Sequence, residues 1–312
     1  MALPSRVAVL YGGPSSEREI SCLSTKSVTG ALDELGVDYQ TIDIIEPNWM
    51  ELLKAYHPEF VFLGLHGCPG EDGTVQGALE LMGYPYQGSG VLSSSLAMHK
   101  PTAKKVFAAS HIDVAAEAVY AWHALPEDAE ALCVDFPVVV KPVSGGSSVG
   151  IYIVEDAVGW SDVRSKVMQA KEEIMVEEYI AGREFTVAVM GDEALGVTEI
   201  LSNDHAFYDF ESKYTEGGST HVCPADIPQE LAEKMCEIAL KAHHALDCRG
   251  ITRSDLRYDS ATGRLVILEV NTLPGMTNVS LVPELAAYKG YSFNQLITWM
   301  IEDAACPVQQ TA

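Results

Sequence analysis

Basic residues are scarce in this chain: 20 Lys and Arg stand against 44 Asp and Glu, a formal charge of −24 over 312 residues. That balance argues against a nucleic-acid binder, whose footprint is basic. An anionic ligand would need positive charge gathered locally, for which Lys100, Lys141, Lys213 and Arg253 are the candidates. Long apolar runs are missing too, and none reaches the roughly 20 residues of a membrane span. Met1-Ala2-Leu3-Pro4-Ser5-Arg6 lacks the pattern of a signal peptide and leads straight into a strand. The seven cysteines are scattered without a CxxC pair, so free thiols in a reducing compartment are expected. Internal repeats and low-complexity segments are absent. What is present is an ordinary globular composition, 47% hydrophobic, in a chain long enough for a large core and two or three domains. A soluble cytoplasmic enzyme is expected, with neither nucleic acid nor membrane as a partner.

The most informative stretch is Arg253-Ser254-Asp255 followed by Glu269-Val270-Asn271. If the two segments pair as strands, they bring two carboxylates, one amide carbonyl and one guanidinium together. That is the ligand set Mg²⁺ accepts alongside waters and phosphate oxygens. Glu269 and Asn271 share a strand face. Leu265 to Leu268 and Leu256 to Tyr258 supply the apolar residues of such strands, and Asp259 to Gly263 reads as the turn between them. Metal-assisted phosphoryl chemistry is one reading; an ordinary charged surface hairpin is the other.

A second segment tilts this toward a nucleotide site. Phe136 to Pro142 is a buried-type strand carrying Lys141 near its end. It is followed by Val143-Ser144-Gly145-Gly146-Ser147-Ser148-Val149-Gly150 and a new strand, Ile151 to Val154. Unhindered backbone N–H groups in such a loop can form an anion nest, although a plain Gly/Ser turn has the same composition. It is not a Walker A loop, because the lysine precedes the glycines and no helix follows directly.

Three parts are expected along the chain: residues 1–96, 97–180 and 181–312. The first alternates strands (Val7–Leu10, Tyr39–Ile44, Phe60–Leu65) with helices, beginning with one over Ser16–Leu35. This reads as a doubly wound parallel sheet, whose ligands sit beyond the C-terminal strand ends, where Gly12-Gly13 and His66-Gly67 fall. Ser16 and Glu19 fit a capping box, which leaves Glu17 unexplained by the cap. The second part is a smaller α+β unit with the Gly/Ser loop, and the third a sheet domain with the hairpin. The polar stretch from about 203 to 222 reads as a functional lid.

At this point the chain resembles the D-alanine–D-alanine ligases of the ATP-grasp superfamily, from Val7 to about Ile301. The resemblance rests on Tyr11-Gly12-Gly13-Pro14-Ser15-Ser16-Glu17-Arg18-Glu19-Ile20-Ser21, on Leu65-His66-Gly67 with Gly70-Glu71-Asp72-Gly73, and on the Gly145 loop. It continues through Glu177-Glu178-Tyr179-Ile180 with Gly182-Arg183-Glu184-Phe185-Thr186, Lys213-Tyr214, and Glu269-Val270-Asn271-Thr272-Leu273-Pro274-Gly275-Met276-Thr277.

The resemblance implies an ATP-grasp fold with an N-terminal doubly wound domain. It implies ATP phosphates held by Lys100 and Lys141, with Ser147, Ser148 and Lys213 also in the ATP site. Glu177, Glu178, Tyr179 and Ile180 match the adenine pocket, partly through backbone, and Glu184 the ribose hydroxyls, since a carboxylate accepts two hydrogen bonds. Asp255, Glu269 and Asn271 match ligands of Mg²⁺ or Mn²⁺, with two ions expected. Glu17 matches the acceptor of the first substrate's ammonium group. His66 lines that substrate's site, with a structural role equally open. Ser280 and the backbone beyond it match the grip on the second substrate's carboxylate. Arg253 and the Gly275 N–H match the oxyanion site. Ser147 matches a serine that meets the lid tyrosine, Tyr214, with Glu17 completing that network.

The activity implied is D-alanyl-D-alanine synthesis for peptidoglycan precursors, through an acyl phosphate and without a covalent enzyme intermediate. A homodimer is expected. Tyr214 favours the dipeptide, because relatives that make D-alanine–D-lactate lack it. One departure stands out: where members carry Met-Asp-Lys, this chain has Met98-His99-Lys100, and altered local hydrogen bonding is expected there. Two rival functions remain: an ATP-grasp ligase for another amino-acid pair, separable by ADP release with a panel of D- and L-amino acids, and a non-catalytic nucleotide-binding protein. Arg253 beside three metal-type ligands argues against the second.

Overall fold

The computed structural model describes residues 3–146, 150–202, 219–277 and 279–306. Its first sheet is parallel, ordered β2-β1-β3, from Arg6–Tyr11 (β1), Asp38–Asp43 (β2) and Phe60–Leu63 (β3). The central strand is continuously apolar because it is covered on both faces; Val7, Ala8, Val9 and Leu10 are all inaccessible to solvent. Helices Arg18–Leu35 (α1), Trp49–Tyr56 (α2) and Thr74–Met82 (α3) follow the strands in turn. Apolar residues of the C-terminal helix, among them Ile297 and Met300, share the core of Val7, Val9 and Leu32, so the last segment closes over the first sheet.

Helix α1 begins later than expected, and the capping box is not formed. Glu17 occupies the N-cap position and makes no side-chain cap bond. The preceding turn is tied by Ser15, whose Oγ accepts from the Glu17 N–H at 3.0 Å and whose carbonyl accepts from Arg18 N–H. That leaves the Glu17 side chain outside the capping scheme, as expected, although Ser16 is not the cap. Just before it, Gly12 has φ 72°, and a Cβ there would stand 2.4 Å from Asp43 Oδ1. Only glycine makes that turn off β1.

Helices Val91–Met98 (α4) and Lys100–Ala109 (α5) lead into a four-stranded antiparallel sheet, ordered β4-β7-β5-β6. Its strands are Glu117–Tyr120 (β4), Val138–Pro142 (β5), Tyr152–Val154 (β6) and Ile174–Glu178 (β7), with helix Ala157–Ala170 (α6) packed on it. The departure at His99 has a local consequence. Its Nδ1 accepts from Thr102 N–H at 3.3 Å and sits 2.7 Å from Thr102 Oγ1, so the imidazole caps α5.

The last sheet is antiparallel, ordered β10-β9-β8-β11-β12, with strands Arg183–Met190 (β8), Glu193–Ser202 (β9), Ser219–Val222 (β10), Ile251–Asp259 (β11) and Arg264–Asn271 (β12). Helices Gln229–Ala245 (α7), Leu281–Tyr288 (α8) and Phe293–Glu302 (α9) complete the chain. The expected lid is shorter at its far end, because residues 219 to 222 pair antiparallel with β9 as β10. The remainder of that segment lies outside the described residues. Among the described residues no helix is long and apolar enough to cross a membrane.

Candidate active site

The hairpin forms as its sequence requires. β11 and β12 pair antiparallel with Arg253 opposite Asn271 and Asp255 opposite Glu269, and the register shifts by a bulge between Asp255 and Leu256. Asp255 is the hub. Its Oδ1 accepts from Arg253 Nε at 3.0 Å and Thr186 Oγ1 at 2.7 Å; its Oδ2 accepts from Arg253 Nη2 at 2.9 Å and Asn271 Nδ2 at 3.0 Å. Lys100 reaches over from α5, donating to the Gly145 carbonyl at 2.6 Å with Glu269 Oε2 3.3 Å away.

Among the described residues no three His, Cys, Asp or Glu side chains form a metal cage. Two carboxylates and one amide paired across adjacent strands nevertheless fit Mg²⁺, which takes few protein ligands and completes its shell with phosphate and water oxygens.

Two cavities meet at Glu269. The first, about 730 Å³, lies between the four- and five-stranded sheets. Val139, Ile153, Ile180 and Leu268 make its apolar walls; Lys100, Lys141, Glu184 and Asp255 bring charge to it. An apolar slot with a few convergent polar groups is the usual form of a small-molecule site.

Its polar rim is wired from behind. Glu177 ion-pairs with Lys141 through one oxygen and receives Lys104 Nζ at 2.8 Å on the other, while Lys104 Nζ also stands 2.9 Å from Glu117 Oε2. Burial alone would raise the Glu177 pKa, but Lys141 and Lys104 outweigh it and hold the carboxyl below its ordinary value. Burial would likewise lower Lys141, and Glu177 reverses this, so its ammonium is more firmly charged than usual. Arg257 plays a similar part for Glu184, donating to its Oε2 at 3.1 Å and to the Ile180 carbonyl at 3.2 Å. Glu178 borders the cavity, and its side chain is held by Arg264, 2.5 Å distant. Tyr179 borders it too, with the Arg257 guanidinium 5.6 Å from its ring centre.

The second cavity, about 700 Å³, lies at the C-terminal ends of the parallel strands. Glu17, His66, Glu71, Arg253, Gly275 and Ser280 line it together with Glu269 and Asn271. Gly146, from the loop after β5, packs against Glu17, so the middle of the chain closes over the first sheet here. Glu71 accepts from the Gly67 N–H at 2.7 Å, and its burial and the nearby Glu17 carboxylate push its pKa up to about 8. His66 is pushed down to about 4 by burial, which outweighs the opposing Leu273 backbone and is reinforced by the nearby Arg253, so its imidazole is neutral. Ser280 Oγ accepts from the Thr277 N–H at 3.0 Å and stands at the N-terminus of α8, where free backbone N–H groups favour a carboxylate.

The structure therefore brings Glu17, His66, Arg253, Gly275, Ser280, Asp255, Glu269, Asn271, Lys100, Lys141, Glu177 and Glu184 to two cavities that share Glu269 in their linings. Ser147, Ser148, Lys213 and Tyr214 lie outside the described residues. Sequence reasoning passed over Glu71, Lys104 and Arg257. Glu71 stood inside the quoted Gly70–Gly73 segment, and Arg257 continues the alternation Arg253, Asp255 on one strand face. Nothing local marks Lys104.

Comparison with known proteins gives the chain's relatives. Residues 117–302 match the family model for the D-ala D-ala ligase C-terminus, and residues 46–89 that for the N-terminus. A D-alanine–D-alanine ligase of Cereibacter sphaeroides is 50% identical over 310 residues, covering 96% of both chains. One from Methylorubrum extorquens is 47% identical, covering 97% of this chain and 99% of its own. Among solved structures, the D-alanine–D-alanine ligase of Bacillus anthracis complexed with ATP superposes with TM-score 0.85 at 30% identity, covering 100% of both chains. The VanG D-Ala:D-Ser ligase of Enterococcus faecalis gives 0.78 at 30% identity, over 96% of this chain and 98% of its own.

Proposed function

The chain belongs to the D-alanine–D-alanine ligase family, and on that premise we propose that it joins two D-alanines into D-alanyl-D-alanine, with conversion of ATP to ADP and phosphate, for peptidoglycan precursor synthesis. One observation carries the reading: Glu269 borders both the apolar, lysine-rimmed cavity and the cavity of Glu17, Arg253 and Gly275. A nucleotide in the first would present its terminal phosphate to an amino acid in the second.

The residues divide the work by chemistry. Val139, Ile153, Ile180 and Leu268 enclose the adenine; Glu184, held by Arg257, takes the ribose hydroxyls; Lys100 and Lys141 hold phosphates. Glu17 binds the ammonium group of the first D-alanine. The carboxylate of that D-alanine attacks the γ-phosphorus, the bond to the β-phosphate oxygen breaks, and an acyl phosphate results with ADP as leaving group. Ser280 and the N-terminus of α8 hold the carboxylate of the second D-alanine, whose amine attacks the acyl carbon. Arg253 and the Gly275 N–H stabilise the resulting oxyanion, at about 3 to 4 kcal/mol per donor. Phosphate then leaves and the amine proton is lost. Asp255, Glu269 and Asn271 would hold Mg²⁺ or Mn²⁺, as two ions, supplying neutralisation of phosphate charge. Acyl phosphates hydrolyse, so exclusion of water serves the reaction.

We further read the chain as three units, 1–96, 97–180 and 181–312, acting as a cytoplasmic homodimer. The deciding experiment is ATP-dependent phosphate release with D-alanine as the sole amino acid, alongside detection of the dipeptide. Release tied to dipeptide is expected. Faster turnover with another amino-acid pair would shift the substrate assignment, and no release with any amino acid would leave only nucleotide binding.

A further inference from the structure

Ser24 lies on α1, 1% exposed, and belongs to no motif. Its Oγ stands 2.9 Å from His66 Nε2 and accepts from the backbone N–H of Met276 at 3.2 Å, across 252 positions of sequence. A hydroxyl carries one donor and two lone pairs. With Met276 N–H donating to it, the Ser24 O–H is free to donate to the neutral His66 at Nε2. The ring proton of the neutral imidazole then sits on Nδ1. The chain of bonds runs from Met276 N–H to Ser24 to His66, whose ring lies beside the Leu273 backbone at the other end of the short segment Leu273-Pro274-Gly275-Met276.

We propose that Ser24 is a positioning residue for the oxyanion donor: through His66 and Met276 it pins the segment that presents the Gly275 N–H. This rests on the reading of Gly275 given above. His66 acts from the same clamp, as the base of the segment, and needs no proton transfer to do so. Leu273 and Met276 are anchored at its two ends by burial, but the two residues between them have no hold of their own. Pro274 lacks an N–H, and Gly275 has no side chain to anchor it. A Cβ at Gly275 would come 2.9 Å from Ser280 Oγ, so the segment is confined on its other flank by the site of the second substrate's carboxylate.

Loss of the Ser24 hydroxyl would strand the Met276 N–H without its acceptor and release the segment. The oxyanion donor matters most when the amine attacks the acyl phosphate. The alternative fate of that intermediate is attack by water at phosphorus, which breaks the P–O bond to the acyl oxygen, forms no oxyanion at carbon, and returns D-alanine and phosphate. A misplaced Gly275 N–H therefore slows dipeptide formation more than it slows ATP consumption.

The test compares ADP released with dipeptide formed in wild type, Ser24→Ala and Ser24→Thr, each assayed well below its melting temperature. Wild type should form one dipeptide per ADP. In Ser24→Ala, dipeptide turnover should fall by about tenfold to a hundredfold, the cost of a misplacement near 1 Å. Its ADP-to-dipeptide ratio should rise clearly above one, and its KM for ATP should be little changed. Ser24→Thr keeps the hydroxyl and should restore the ratio in whatever fraction folds. A Ser24→Ala enzyme that slows but keeps one dipeptide per ADP would show that the serine only stabilises the fold, and would overturn the inference. If wild type itself released no ADP with D-alanine, the proposed function would fall instead.

Discussion

Gly146 lies directly against the carboxylate of Glu17: a Cβ at that glycine would stand 2.8 Å from Glu17 Oε2. The contact joins the loop after β5 to the mouth of the parallel sheet. It makes the second cavity a product of both.

Gly146→Ala should therefore push the Glu17 carboxylate aside without touching the apolar cavity. The KM for D-alanine at the first site should rise by about tenfold, the cost of weakening one charge-assisted hydrogen bond by about 1.5 kcal/mol. The KM for ATP should stay within about twofold, a change of well under 1 kcal/mol. Steady-state kinetics with each substrate varied in turn will decide. A rise confined to ATP would detach Gly146 from the amino-acid site.

Glu71 offers a pH test whose sign is fixed. Its folded pKa of about 8 lies above the ordinary carboxyl value of 4.5. Between those values the folded state binds more protons than the unfolded state, so this group's contribution to stability is full at low pH and is lost as pH rises. Glu71→Gln imitates the protonated acid at every pH. The variant should match wild type near pH 5 and exceed it in denaturation midpoint above pH 8. A difference independent of pH would show that Glu71 is not protonated in the native protein.

Lys104 is 2% exposed between Glu117 and Glu177. Its removal strands buried carboxylates, so Lys104→Met should cost about 3 to 5 kcal/mol of stability. Glu177 would then be left to Lys141 alone, and ATP affinity should fall as well. Urea unfolding and nucleotide titration measure the two effects. Undiminished stability would mean that the four charges do not act as one buried network.

The metal assignment predicts that Glu269→Gln and Asn271→Ala fold normally and lose most turnover, and that a chelator abolishes wild-type activity, restored by Mg²⁺ or Mn²⁺. Circular dichroism and ADP release check both halves. Normal turnover in the two variants, with unaltered Mg²⁺ dependence, would remove these residues from the ion.

Much of the architecture was legible because its causes are local. The apolar run of Val7 to Leu10 announces a strand covered on both faces. The alternation through Arg253, Asp255 and Arg257, with a turn ending at Gly263, announces the hairpin, and pairing across so short a turn leaves few registers. The helix start at Glu17 was misread because Ser15, one residue earlier than the chosen cap, ties the turn through its own hydroxyl and carbonyl.

By itself the sequence determined which segments become strands and helices, since period and turn chemistry act over a few residues. It also determined which carboxylates share a face, and through its ordered motifs the family. The tertiary structure alone decided how these pieces serve one another. Lys104 meets Glu177 across 73 positions, Arg257 meets Glu184 across 73, and Ser24 reaches Met276 across 252. Such contacts arise when separate cores pack and bring buried polar groups from distant segments within reach of one another. The requirement that every buried charge and hydroxyl be satisfied is a property of the packed interior, and no local pattern in the chain encodes it.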